Sequence, residues 1–124
     1  MNADPDGIDA YRLHAEICKV LTDPKRLMLL DAMRGRERSV GDLASVAGCT
    51  LANASQHLAV LRSAGLVDSR RAGTVVFYRL AEPEILEACD VVGRIARRRI
   101  QAQAQAQAER RDATPDREPV TTRR

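Results

Sequence analysis

The stretch Thr50–Leu80, TLANASQHLAVLRSAGLVDSRRAGTVVFYRL, decides the fold. A helix turns by about 100 degrees per residue. A helix over residues 51–64 therefore puts Leu51, Ala54, Leu58 and Leu61 on one face, which should bury. Asn53, Gln56, Val60 and Ser63 fall on the opposite side, with Ala52 and Ala59 beside them. Ser55, His57 and Arg62 flank the two faces. Thr50 is placed to cap the first turn, and Gly65 to close the last. After Gly65 the period changes. LVDSR and TVVFYRL are rich in β-branched and aromatic residues and flank Arg71-Ala72-Gly73, which predicts a β-hairpin. Val75, Phe77 and Arg79 share one side of its second strand; Val76, Tyr78 and Leu80 share the other.

Upstream, Ser39 with Asp42 three residues later resembles a capping box. Leu43, Val46 and Ala47 make a short helix that stops at Gly48. Two short helices across a tight glycine turn outline a helix-turn-helix. A basic hairpin directly after it gives the winged-helix arrangement. The expected class is mainly α with a β-hairpin wing. Further upstream, Thr22-Asp23-Pro24 ends one helix and begins another, with Asp23 as cap and Pro24 in the first turn, where no backbone donor is needed. Leu27, Leu30 and Met33 continue a buried face, and Gly35 ends it. Arg36-Glu37-Arg38 reads as a polar link. Ile8, Tyr11, Ala15, Cys18 and Leu21 form a helical stripe nearer the N-terminus.

Downstream, Pro83 restarts a helix whose stripe is Ile85, Leu86, Cys89, Val92, Gly93 and Ala96; Arg94, Arg97, Arg98 and Arg99 make it basic. The QAQAQAQA run at 101–108 leaves no continuous apolar stripe on a helix. The expected organisation is a loose N-terminus at 1–7, one folded domain at 8–100, and a low-complexity, charged, disordered tail at 101–124.

Composition narrows the function. The chain has 124 residues, 44% hydrophobic, enough for one small core. A domain of this size gains from burying surface in a partner. Its only aromatic residues are Tyr11, Phe77 and Tyr78, so the core must be aliphatic. No apolar run is long enough to span a membrane. The N-terminal residues MNADPDGIDAYR form no apolar signal, so the expected location is the cytoplasm. Three cysteines at wide spacing and two histidines make neither a disulfide framework nor a zinc finger. No nucleophile–base pair and no glycine-rich phosphate loop points to an enzyme.

Net charge is only +3, but residues 51–80 hold Arg62, Arg70, Arg71 and Arg79 against Asp68 alone. Such local positive charge attracts polyanions. On the predicted helix 51–64, the outer face is small and uncharged at its start and carries amides. Asn and Gln pair with adenine edges in the major groove, and Ala allows close approach. Thr50, Asn53, Ser55, Gln56 and His57 are the candidate DNA-facing residues of the helix. Arg62, Arg70, Arg71 and Thr74 are candidates for the backbone or minor groove. A solvated polar face is the plain alternative for each residue taken singly; for His57 a cap or surface role is the simpler one.

At this point VLTDPKRLMLLDAMRGRERSVGDLA and the stretch 50–80 resemble the ArsR/SmtB family of bacterial repressors. The resemblance covers roughly residues 10–93. Its most specific segments are Asp23-Pro24-x-Arg26-Leu27, Ser55-Gln56-His57-Leu58-x-x-Leu61 and Ala64-Gly65-Leu66-Val67. It implies a homodimer through the first and last helices and a double-stranded, palindromic operator. It also implies release of DNA by an effector: a metal ion, arsenite, reactive sulfur or an oxidant. The family's Cys-x-Cys site is absent from Ser39-Val40-Gly41-Asp42. Its Asp/His/Glu site on the last helix meets only Glu84, Glu87 and Asp90. Cysteines late in the recognition helix are replaced by Val60 and Ala64.

The three thiols remain as effector candidates. Cys18 and Cys89 lie on the two helices expected to dimerise, where they can hold a thiophilic ion such as arsenite or be oxidised. Cys49 precedes the recognition helix, whose N-terminus favours a thiolate. A packing role is the competing reading of each. The expected function is thus a dimeric, sequence-specific repressor released by a thiol-reactive or thiophilic effector. The alternative is a DNA-binding or protein-interaction module without a sensing function.

Overall fold

The computed structural model describes residues 5–113. Helix α1 (Ile8–Val20) leads to α2 (Pro24–Ala32), a two-residue strand β1 (Arg38–Ser39), α3 (Val40–Ala47) and α4 (Leu51–Ser63). Strands β2 (Val67–Ala72) and β3 (Val75–Leu80) follow, and α5 (Ile85–Ala113) ends the described chain. Contacts divide the chain into one unit ending at Glu87 and a second beginning at Ala88.

Local chemistry sets the helix ends. Asp23 accepts from the backbone N–H groups of Lys25 and Arg26 at 2.7 and 3.4 Å, and Pro24 opens α2. Ser39 accepts from Asp42 N–H, and Thr50 from Asn53 N–H, each at 3.1 Å. Each cap satisfies a donor that the helix itself leaves unpaired. Gly48 follows α3 in the left-handed region at φ 64°, which allows the sharp turn into α4.

The core of the first unit is aliphatic, as expected from the composition. Leu29, Leu30, Met33, Leu43, Ala47, Leu58, Leu61, Leu66, Val67 and Leu86 form it, with Ile17, Val20, Leu21, Tyr78 and Leu80 packed against it. The inner face of α4 is therefore Ala54, Leu58 and Leu61, each fully buried. Leu51, expected on that face, is 56% exposed: it sits in the first turn, about 55 degrees off the buried stripe. Leu27 is likewise exposed, because the core lies toward Leu29, Leu30 and Met33.

Helix α1 departs more clearly from expectation. Of its expected stripe, Ile8, Tyr11, Ala15 and Cys18 are exposed and Leu21, just past the helix end, packs against the core, where Ile17 and Val20 join it. Two apolar faces occupy one helix, and periodicity does not say which of them packs within the chain.

The sheet has the order β1-β3-β2, with both pairings antiparallel. Arg38 pairs with Tyr78 and Ser39 with Phe77, so the expected polar link supplies a third strand. The hairpin is tighter than predicted. Arg71 and Ala72 belong to β2, and Ala72 pairs with Val75 across Gly73 and Thr74. A two-residue connection needs a left-handed first residue, and Gly73 has φ 64°.

The region 101–113, expected to be a disordered tail, continues α5 as helix. Ala and Gln are good helix formers, and propensity carries the helix where no stripe exists to pack. The remainder of that expected tail, 114–124, lies outside the described residues, as do residues 1–4 of the expected loose N-terminus. Among the described residues, no helix is long and apolar enough to cross a membrane.

Candidate nucleic-acid interface

The outer side of α4 follows from its inner side. With Ala54, Leu58 and Leu61 inward, Gln56 points almost directly outward, with Ala52, Ala59 and Ser63 beside it; all four are exposed. Asn53 lies exposed to one side and Ser55 and Arg62 to the other. Thr50 is exposed at the helix start, its hydroxyl occupied by the Asn53 cap. The outer surface thus offers two amides, small side chains and, near its C-terminal end, one guanidinium.

His57 is placed differently from the expected DNA-facing role. Its side chain is only 22% exposed, with Nε2 4.0 Å from Asp23 Oδ1 and Nδ1 3.4 Å from Arg26 Nη1. Arg26 Nε also donates to the Val20 carbonyl at 2.6 Å, and Lys25 Nζ to the Ala47 carbonyl at 2.5 Å. The Asp23-Pro24-x-Arg26 segment and His57 therefore tie the end of α1 and the start of α2 to α4. Partial burial alone raises the Asp23 pKa. Hydrogen bonds from Lys25 and Arg26 and the charges of His57 and Arg26 outweigh it and hold the carboxyl below its ordinary value.

In the wing, Arg70 is committed within the protein. Its Nε and Nη2 donate to Glu37 at 2.8 and 2.7 Å, a bidentate pair, and its guanidinium lies 4.6 Å from the Phe77 ring centroid. Arg79 stands 3.8 Å from Asp68, both exposed. Among the described residues, Arg62 and Arg71 have no such ion pair and stand exposed. Thr74 is exposed at the wing tip. Sequence reading missed Glu37: a carboxylate between two arginines in a short link carries no periodicity, and only the fold brings it to Arg70, 33 residues away.

The hydrogen bonds of Arg70 hold the Glu37 carboxyl below its ordinary pKa, and those of Glu37 raise that of Arg70. A lowered carboxyl pKa contributes stability above the ordinary carboxylate range and loses it as pH falls through the lowered value. Thermal melts from neutral into acid solution are expected to show falling stability. Glu37→Gln should remove part of that pH dependence; an unchanged profile would show that the pair contributes nothing to the fold.

The cysteines occupy three environments. Cys18 is exposed on the outer face of α1. Cys49 is half-buried and packs against the core, its N–H donating to the Ala44 carbonyl. Cys89 is half-buried on α5. Among the described residues, no three His, Cys, Asp or Glu side chains gather as they would to hold a metal ion.

A capped helix with a small, amide-bearing outer face, preceded by a short helix and followed by a tight basic hairpin, defines a winged helix-turn-helix DNA-binding protein. A helix-turn-helix domain model matches residues 21–70. The HTH-type transcriptional regulator Rv0081 of Mycobacterium tuberculosis is 42% identical over 89 residues, 71% of this chain and 78% of that protein. Its crystal structure superposes with a TM-score of 0.65 at 37% identity, covering 79% of this chain and 99% of that one. A homodimeric winged helix-turn-helix domain from Mycobacterium bovis, described as a possible ArsR-family transcriptional regulator, gives a TM-score of 0.67 at 31% identity over 82% of this chain and 93% of its own. The transcriptional repressor BigR of Xylella fastidiosa gives 0.64 at 34% identity over 70% and 89%. The chain belongs to the ArsR family of winged helix-turn-helix transcriptional regulators.

Proposed function

We propose that the protein is a homodimeric, sequence-specific transcriptional repressor that sets one α4 from each subunit into successive major grooves of a palindromic operator. The observation that carries this is the division of α4. Ala54, Leu58 and Leu61 are fully buried, and Gln56 projects from the opposite side between alanines. Gln56 and Asn53 read base edges; Arg62, Arg71 and Thr74 meet the backbone. Arg70 serves first as the strut that holds the wing to Glu37. The homodimeric relative from Mycobacterium bovis and the repressor from Xylella fastidiosa support the assembly and the direction of regulation. Selection from a pool of random duplexes by the full chain is expected to enrich a palindrome with half-sites about 10 base pairs, or a small multiple, apart. No enrichment would overturn sequence-specific reading.

The effector part of the proposal rests on the thiols. Cys18 is exposed on a face of α1 shared with Ile8, Tyr11 and Ala15, which a second subunit would cover. Arsenite, polysulfide or an oxidant acting at Cys18 and Cys89 would alter that interface and the spacing of the two α4 helices. Cys49 would act instead at the start of α4. Operator complexes treated with each reagent are expected to dissociate, and Cys18→Ser or Cys89→Ser to abolish the response. If no reagent releases DNA, the repressor works without a thiol effector and the cysteines are packing residues.

A further inference from the structure

Four arginines of the first unit are paired with carboxylates, while Arg62 and Arg71 are not. Arg70 meets Glu37, Arg79 meets Asp68, Arg34 meets Asp31 at 2.8 Å, and Arg12 meets Asp9 at 3.5 Å. Helix α5 differs. Between Asp90 and Glu109 the chain has no acidic residue, yet it carries Arg94, Arg97, Arg98 and Arg99. All four are exposed on continuous helix, and among the described residues no ion pair holds them. Helical spacing puts Arg94, Arg97 and Arg98 within an arc of about 100 degrees, with Gln101 continuing it. Cys89, Val92, Ala96 and Ile100 occupy the other side. Like charges three and four residues apart repel and weaken a helix. Asp90, one turn before Arg94, offsets part of that repulsion, but no acidic residue lies within a turn of Arg97 or Arg98; a polyanion laid along the helix would offset the rest.

We propose that the arginine face of α5 is a second nucleic-acid contact, one that binds the phosphate backbone without sequence preference. It rests on the reading of the chain as a DNA-binding regulator, and DNA is the polyanion already brought to the protein by α4. Three guanidiniums spanning about 6 Å of helix axis suit adjacent phosphates. The apolar side of the same helix is left to meet a second subunit. The surface adds affinity for any duplex and leaves base reading to α4.

The test measures binding of the full-length protein to its selected operator and to a random duplex across a salt series. It compares wild type, Gln56→Ala and a triple variant with Arg94→Gln, Arg97→Gln and Arg98→Gln. Glutamine keeps helix propensity. The triple variant is expected to lower the slope of log affinity against log salt by about 2–3 on both duplexes, since each phosphate contact contributes about 0.9. Its operator-to-random ratio should stay at the wild-type value. Gln56→Ala should do the reverse, losing the ratio and keeping the slope. Lysine at the three positions should restore the slope, because a point charge suffices for a phosphate. A wild-type slope in the glutamine variant, or no rescue by lysine, overturns the proposal while leaving the role of α4 intact. Loss of the ratio in the triple variant also overturns it, because the face would then act through base reading.

Discussion

Leu58→Ala is expected to lower the unfolding free energy by about 2–5 kcal/mol, the range for a buried leucine cut back to alanine. Leu58 is fully buried and sits among Leu29, Leu30, Met33, Leu43 and Leu61. Its removal leaves a cavity where α4 packs against the rest of the core. For a domain of this size that corresponds to a Tm lower by roughly 10 °C or more. Small domains hold only about 5–15 kcal/mol in total, so the variant should be partly unfolded at moderate temperature. Leu51→Ala on the same helix supplies the contrast. Leu51 is 56% exposed, and its truncation should change stability by no more than about 0.5 kcal/mol. Urea or thermal unfolding of the two variants decides the matter. Equal losses would mean that the inner face of α4 is not the one described.

Gln56→Ala is expected to cost about 1–3 kcal/mol of operator affinity, the discrimination carried by one bidentate contact to a base. That is roughly a 5- to 150-fold loss. Binding to random duplex should change little, because Gln56 carries no charge and meets no phosphate. Gln56 also lies outside the core, so unfolding should match wild type. Arg71→Ala is the matched control. Arg71 is exposed in the wing and should weaken cognate and random DNA alike, with a salt slope smaller by about 1. Parallel titrations of both duplexes check the pair. If Gln56→Ala keeps full discrimination, the outer face of α4 does not read bases at that position.

Much of this arrangement is legible along the chain because its causes are local. Asp23, Ser39 and Thr50 cap the helices they precede, since a cap needs only a side-chain oxygen two or three residues from an unpaired N–H. The split of α4 into Ala54, Leu58 and Leu61 against Gln56 follows from a period of 3.6 residues. The wing follows from the change to β-branched and aromatic residues after Gly65.

What failed was set by distant partners. On α1, Ile17 and Val20 meet the core while the equally apolar Ile8, Tyr11 and Cys18 do not. Strand β1 is two residues long, too short to show alternation, and exists because β3 offers it an edge. His57 has the composition of a DNA-facing residue, yet it turns to Asp23 and Arg26 because α2 begins beside it.

The sequence by itself determined the order of the helices and the hairpin, the caps of α2, α3 and α4, and which side of α4 is left exposed, because each depends on residues within a turn of one another. Only the tertiary structure decided which arginines remain available to a polyanion. Arg70 and Arg71 are adjacent and alike in the chain, but alternate residues of a strand point to opposite faces, and Glu37, just before β1, pairs only with Arg70. Pairing of charges over 33 residues is a property of the packed sheet.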